Sequence, residues 1–248
     1  MDAQREVLPE IVDPDLRCQT YNMSIDTYVS AGRLAEARAA MEAQESEAQG
    51  LTPHHRLHAA GARLCVETLT GRWEVARALS ARTEAAVEAN LATPCPMNIG
   101  SLFWCALAAE IIGDEPDSKR LEKEAYATGM EGYAFATDGP RIWLALARGN
   151  LEEARRLVEG LEPEPLKPWS GEIRCALFDV LAVLGERKRV EEDAPDWITR
   201  GGYPAPFALR TLGLVREDEG LVERGAQGFD DLGLAWHAQR TRERKIIG

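Results

Sequence analysis

Residues 31–38 read AGRLAEAR, residues 70–77 read TGRWEVAR and residues 148–155 read RGNLEEAR. Each stretch places an apolar side chain two residues after a glycine and Ala-Arg five and six residues after it. Glycine adopts, without steric cost, the left-handed backbone that ends a helix, and the residues that follow here favour a new helix. A small side chain one turn into that second helix lets two antiparallel backbones approach closely. The octapeptide therefore reads as the corner of a helical hairpin.

Working outward, such corners are expected at Gly32, Gly71, Gly113, Gly149, Gly185 and Gly220, spaced by 39, 42, 36, 36 and 35 residues. Five positions after each stand Ala37, Ala76, Ser118, Ala154, Val190 and Gly225, nearly all small. Units of about 34 to 47 residues are the mark of stacked helical hairpins. The pattern predicts first helices over 15–30, 53–69, 97–112, 139–148, 169–184 and 205–218. Their partners are expected over 33–48, 73–90, 116–128, 150–160, 186–193 and 220–232, with a closing helix over 234–245. Asp13-Pro14, Thr52-Pro53 and Asn150 supply start signals. The stretches 129–140 (GMEGYAFATDGP) and 160–171 (GLEPEPLKPWSG) read as loops between hairpins. Because the repeat continues in phase across both, residues 1–248 are expected to form one array.

Composition agrees with an all-α chain. Hydrophobic residues make up 45% and charged residues 28%, a globular balance in which Ala, Leu, Glu and Arg outweigh β-branched residues. The net charge of −12 repels phosphate backbones, so direct nucleic-acid binding is not expected. The basic stretch 238–245, AQRTRERK, reads as compensation of a helix C-terminus. No apolar run reaches the roughly 20 residues of a membrane span, and the N-terminus has no apolar signal core; a cytoplasmic protein is expected. Cys18, Cys65, Cys95, Cys105 and Cys175 are scattered, without a CxxC pair, and most of them read as small buried residues.

Glycine followed five residues later by alanine, with an acid before that alanine at Glu36 and Glu153, resembles the tetratricopeptide-repeat corner. The resemblance implies a right-handed α-solenoid of about six hairpins plus a C-terminal capping helix. Residues 203–213 (YPAPFALRTLG) and 228–243 (GFDDLGLAWHAQRTRE) are similar to the last repeats of helical arrays in bacterial signalling ATPases and in cyclase-type transcriptional regulators. In that family the array follows an NTPase module and serves as a sensor or interaction surface. The chain itself carries no GxxxxGK[ST] phosphate loop and no cyclase-like α/β pattern.

The resemblance implies a non-enzymatic interaction or sensor module, with a protein or peptide partner or the NTPase module itself on the concave face. A metabolite held in that groove is the alternative. In the tetratricopeptide register, Asn22, Asp26, His58, Glu110, Trp143 and Asp179 face inward and form a mainly acidic groove. The remaining tryptophans, Trp73, Trp104, Trp169, Trp197 and Trp236, recur about once per hairpin and read as packing residues, with Trp104 a second possible ligand anchor. His54 and His58 share a helical face, but no third ligand and no HExxH glutamate accompany them, so neither a metal nor any other cofactor is expected. Cys95 and Cys105 have no assignable histidine, GxSxG and GxGxxG are absent, and no catalytic residue is assigned. The end hairpin can shield its outer face, so a monomer or a weak homodimer is expected.

Overall fold

The computed structural model describes residues 8–130, 137–159, 161 and 171–247. Among these there are thirteen α-helices and no strand. They are α1 (Pro14–Ser30), α2 (Leu34–Ala48), α3 (Pro53–Leu69), α4 (Trp73–Ala89), α5 (Pro96–Ile111), α6 (Glu115–Ala127) and α7 (Asp138–Ala147). They continue as α8 (Leu151–Glu159), α9 (Gly171–Leu184), α10 (Arg187–Arg200), α11 (Pro204–Arg216), α12 (Glu219–Asp231) and α13 (Ala235–Arg242). No helix among the described residues is long and apolar enough to cross a membrane. Most of the two Gly/Pro-rich connections, and Trp169, lie outside the described residues.

The corners are built by one local device. At the first, Gly32 N–H donates to Val29 O and Arg33 N–H to Tyr28 O, and Gly32 has φ +74°. This pair of bonds satisfies carbonyls that the ending helix leaves open. The same pair recurs at Gly71, Gly113, Gly149 and Gly185, all with positive φ. The residue five positions after each donates the first bond of the next helix, as Ala37 N–H does to Arg33 O. Ala37, Ala76, Ser118, Ala154 and Val190 are all fully buried.

The sixth corner is not at Gly220. Glu217 takes the left-handed conformation with φ 57°, donating to Leu214 O while Asp218 donates to Gly213 O. Gly220 lies inside the first turn of α12, which Asp218 caps through Leu221 N–H. The register residue is then Val222, and Gly225 is small for another reason: a Cβ there would sit 2.8 Å from Arg210 N. A seventh corner, at Gly233, leads into α13. Helix α10 also departs from expectation, running on to Arg200 through Pro195 instead of stopping near 193. Trp197 in that extension lies under the guanidinium groups of Arg174 and Arg200, at 5.3 and 5.2 Å.

Successive first helices touch one another, α1 to α3 to α5 to α7 to α9 to α11, and the second helices α2, α4, α8, α10 and α12 pack against the helix that follows each. One apolar cluster extends from Ile25 in α1 to Ala238 in α13. The C-terminal hairpin does not stand free at the far end. Tyr203 N–H donates to Ser30 O at 3.1 Å and Tyr203 O–H to Leu69 O at 2.6 Å. His237 Nε2 lies 3.0 Å from the same Leu69 carbonyl. Trp236 meets Trp73 edge-on at 5.1 Å and lies against Gly71, where a Cβ would be 2.7 Å from it. The last hairpin thus returns to the corners of the first two.

Candidate functional site

That return borders an open cavity of about 320 Å³ on the face of the first helices. Asn22, Ile25, Asp26, Val29 and Ser30 come from α1, and Gly61, Ala62, Cys65, Val66 and Leu69 from α3. Met97 and Trp104 come from α5, Gly171 and Glu172 from the start of α9, and Tyr203 from the approach to α11. The wall is mostly aliphatic and aromatic, and its ionisable carboxyls come from hairpins far apart in sequence.

Asn22 and Asp26 are one helical turn apart on α1 and share a face. Asp26 is exposed, but the cavity it faces is walled by protein, and this surrounding pushes its carboxyl up to about 6. Glu172 is only partly exposed. Burial first, and then the Asp26 charge, raise its carboxyl to about 8 against one bond from its own backbone N–H. Among the described residues neither carboxyl has a hydrogen-bonded or ion-paired cation. Cys65 in the same wall is held protonated by burial and by both acids, so it supplies no thiolate.

The other inward-facing residues expected from sequence lie elsewhere. Trp143 and Asp179 are not groove residues; both are buried, with Trp143 Nε1–H donating to Asp179 Oδ2 at 2.9 Å. The second Asp179 oxygen accepts from Arg210, whose guanidinium lies between the rings of Phe207 and Phe229 at 5.0 and 5.1 Å. Burial raises the Asp179 carboxyl and the Arg210 charge opposes that shift. This cluster ties α7, α9 and α11 together inside the core. Glu110 accepts from Arg148 Nε at 2.8 Å, and the same guanidinium reaches Glu122 and Ser118. It is an inter-hairpin ion pair. Trp104 does reach the cavity wall, with its ring 5.8 Å from that of Trp143 behind it.

His58 lies away from the carboxyls, in a second cluster. Its ring is 4.5 Å from that of His54, and its Nε2 is 3.6 Å from Cys95 Sγ. Burial, followed by the neighbouring histidines, lowers the His58 pKa to about 4, and burial lowers that of His54. The expectation that no third donor accompanies the histidine pair is corrected here. Cys95 lies beyond α4, and the α3–α5 packing delivers it. Cys105 is fully buried with its thiol pushed up to about 12, and it is core as expected.

Glu172 is the cavity residue that sequence reasoning missed. Its signal was its place near the start of a first helix, but it meets Asp26 only once α9 has been carried round beside α1. No known protein family, curated protein or solved structure matches the chain.

Proposed function

We propose that the chain is a non-enzymatic sensor module: a right-handed, tetratricopeptide-like array whose concave cavity binds the cationic head of a small molecule. The observation that carries this reading is the pair of carboxyls, Asp26 and Glu172, that face one open cavity and have no ion-paired cation among the described residues. Burial of Glu172 and the Asp26 charge beside it make a second ionised carboxylate there costly unless a cation joins the pair. An amine, guanidine or quaternary ammonium group supplies that cation, and Trp104 adds an aromatic wall of the kind such groups favour. The volume lies near the lower end of the roughly 300 to 1,000 Å³ of ligand pockets.

The contact chain from α1 to α11 supports the solenoid. The return of the C-terminal hairpin favours a compact ligand over a long peptide laid through an open groove. Perturbed carboxyls also mark acid–base catalysis. The cavity wall pairs them with aliphatic groups and a protonated thiol, however, an arrangement suited to binding. In the setting that the C-terminal resemblance implies, occupancy would be reported to an NTPase module of a larger or neighbouring protein.

The test is calorimetry and thermal shift with a panel of small primary amines, guanidines and quaternary ammonium compounds, on the wild type and on Asp26→Asn and Glu172→Gln. Binding is expected to strengthen as pH rises from about 6 to about 8 and both carboxyls ionise, and to weaken at least tenfold in either variant. A panel that binds the double variant as well as the wild type, or binds neither, sinks the reading.

A further inference from the structure

From the cluster on the seam between α3 and α5, we propose that His54, His58 and Cys95 bind one divalent ion of the zinc class. The three candidate ligand atoms lie within 4.8 Å of one another, and each side chain is partly buried. In a tetrahedral site with metal–sulfur and metal–nitrogen bonds of about 2.3 and 2.05 Å, sulfur and nitrogen are separated by about 3.6 Å. Cys95 Sγ and His58 Nε2 already stand at 3.6 Å. His54, one turn before His58 on the same face, need draw in by at most about 1.5 Å from the 4.8 Å limit to complete the set.

The cysteine is held in place. Its N–H donates to Asn98 Oδ1 at 2.9 Å, its sulfur accepts from Asn90 Nδ2 at 3.8 Å, and Asn90 also donates to Asn98. Both asparagines are fully buried, and Asn98 is anchored in turn on Val87 O. Such outer contacts fix a metal ligand's orientation. Two imidazoles and a thiolate, with no carboxylate, suit a borderline-soft ion and not calcium or magnesium. The partial exposure leaves a fourth position for water. Gly61 and Ala62 lie one turn beyond His58 and Met97 two residues beyond Cys95, all three in the cavity wall. An ion here would clamp the second hairpin to the third beside that cavity.

The experiment is a cobalt(II) titration of the full chain, read by its thiolate-to-cobalt charge-transfer band and by the visible bands of tetrahedral cobalt, with zinc competition. One equivalent should bind and be displaced by one equivalent of zinc. Cys95→Ser, which keeps a capping oxygen at this position, should lose the charge-transfer band. Its affinity should fall at least a hundredfold with the helical circular dichroism unchanged, whereas Cys65→Ser should retain the band. As a second readout, zinc should protect Cys95 from alkylation in the wild type and fail to do so in His58→Ala. A wild-type complex without a thiolate band, a band that survives Cys95→Ser, or alkylation unaffected by zinc overturns the proposal.

Discussion

Two acidic clusters on the first helices have opposite fates. In one, Asp179 is enclosed by Trp143 and Arg210 and works as an internal strut between three hairpins. In the other, Asp26 and Glu172 come from α1 and α9, have no ion-paired cation among the described residues, and face a cavity. The helices, their inward faces and the acids are alike; the difference is an arginine on the next first helix. Arg210 is among the most deeply buried side chains, 1% exposed, and it turns one carboxylate into structure. Among the described residues no such neighbour pairs with the other two, and the proposed ligand site rests on that difference.

The contrast breaks most visibly at Asp179. Asp179→Ala strands the Arg210 charge in the core and should cost about 3–5 kcal/mol in urea denaturation, with Asp179→Leu combined with Arg210→Met recovering most of that loss. A loss below about 1 kcal/mol would mean that the pair is solvated and the contrast is empty.

Glu172→Gln should act in the opposite direction. A carboxyl raised to about 8 from an ordinary 4.5 keeps in the folded state a proton that the unfolded chain releases. Its contribution to stability is therefore greatest at acid pH and is lost as pH climbs from about 4.5 to about 8. The variant should match the wild type at pH 4 and exceed it by on the order of 1–3 kcal/mol at pH 8. Equal denaturation midpoints at both pH values would place the Glu172 charge in bulk water.

Tyr203 joins the two regions, because it lines the cavity and also ties the last hairpin to Leu69. Tyr203→Phe should cost about 1 kcal/mol, the usual net value of one hydrogen bond, leaving helix content intact. Faster amide exchange confined to α11–α13 would sharpen the picture; no change in exchange there would show that the ring alone holds the contact.

The corners were legible because their cause is local: five glycines adopt a left-handed conformation and a small residue follows at a fixed distance. The misplaced sixth corner shows the limit of that signal. Glu217 takes the same conformation without being glycine, and nothing in its neighbours advertises this. Asn22 and Asp26 could be read as inward-facing from helical spacing. Trp143 and Asp179 were read in the same way and proved buried, since their fate depends on Arg210 in a helix further on. Glu172 and Cys95 were not legible, because the cavity and the histidine cluster each need a residue delivered by packing between hairpins.

The contacts that bring Tyr203 and His237 to Leu69 span 134 and 168 residues. An open repeat protein relies on contacts between neighbours and tolerates a unit gained or lost. Here the two ends meet, so inserting or deleting a single hairpin would misalign the seam. The number of units that fit is set by geometry, and the seam adds contacts of long sequence separation, the kind that slows folding.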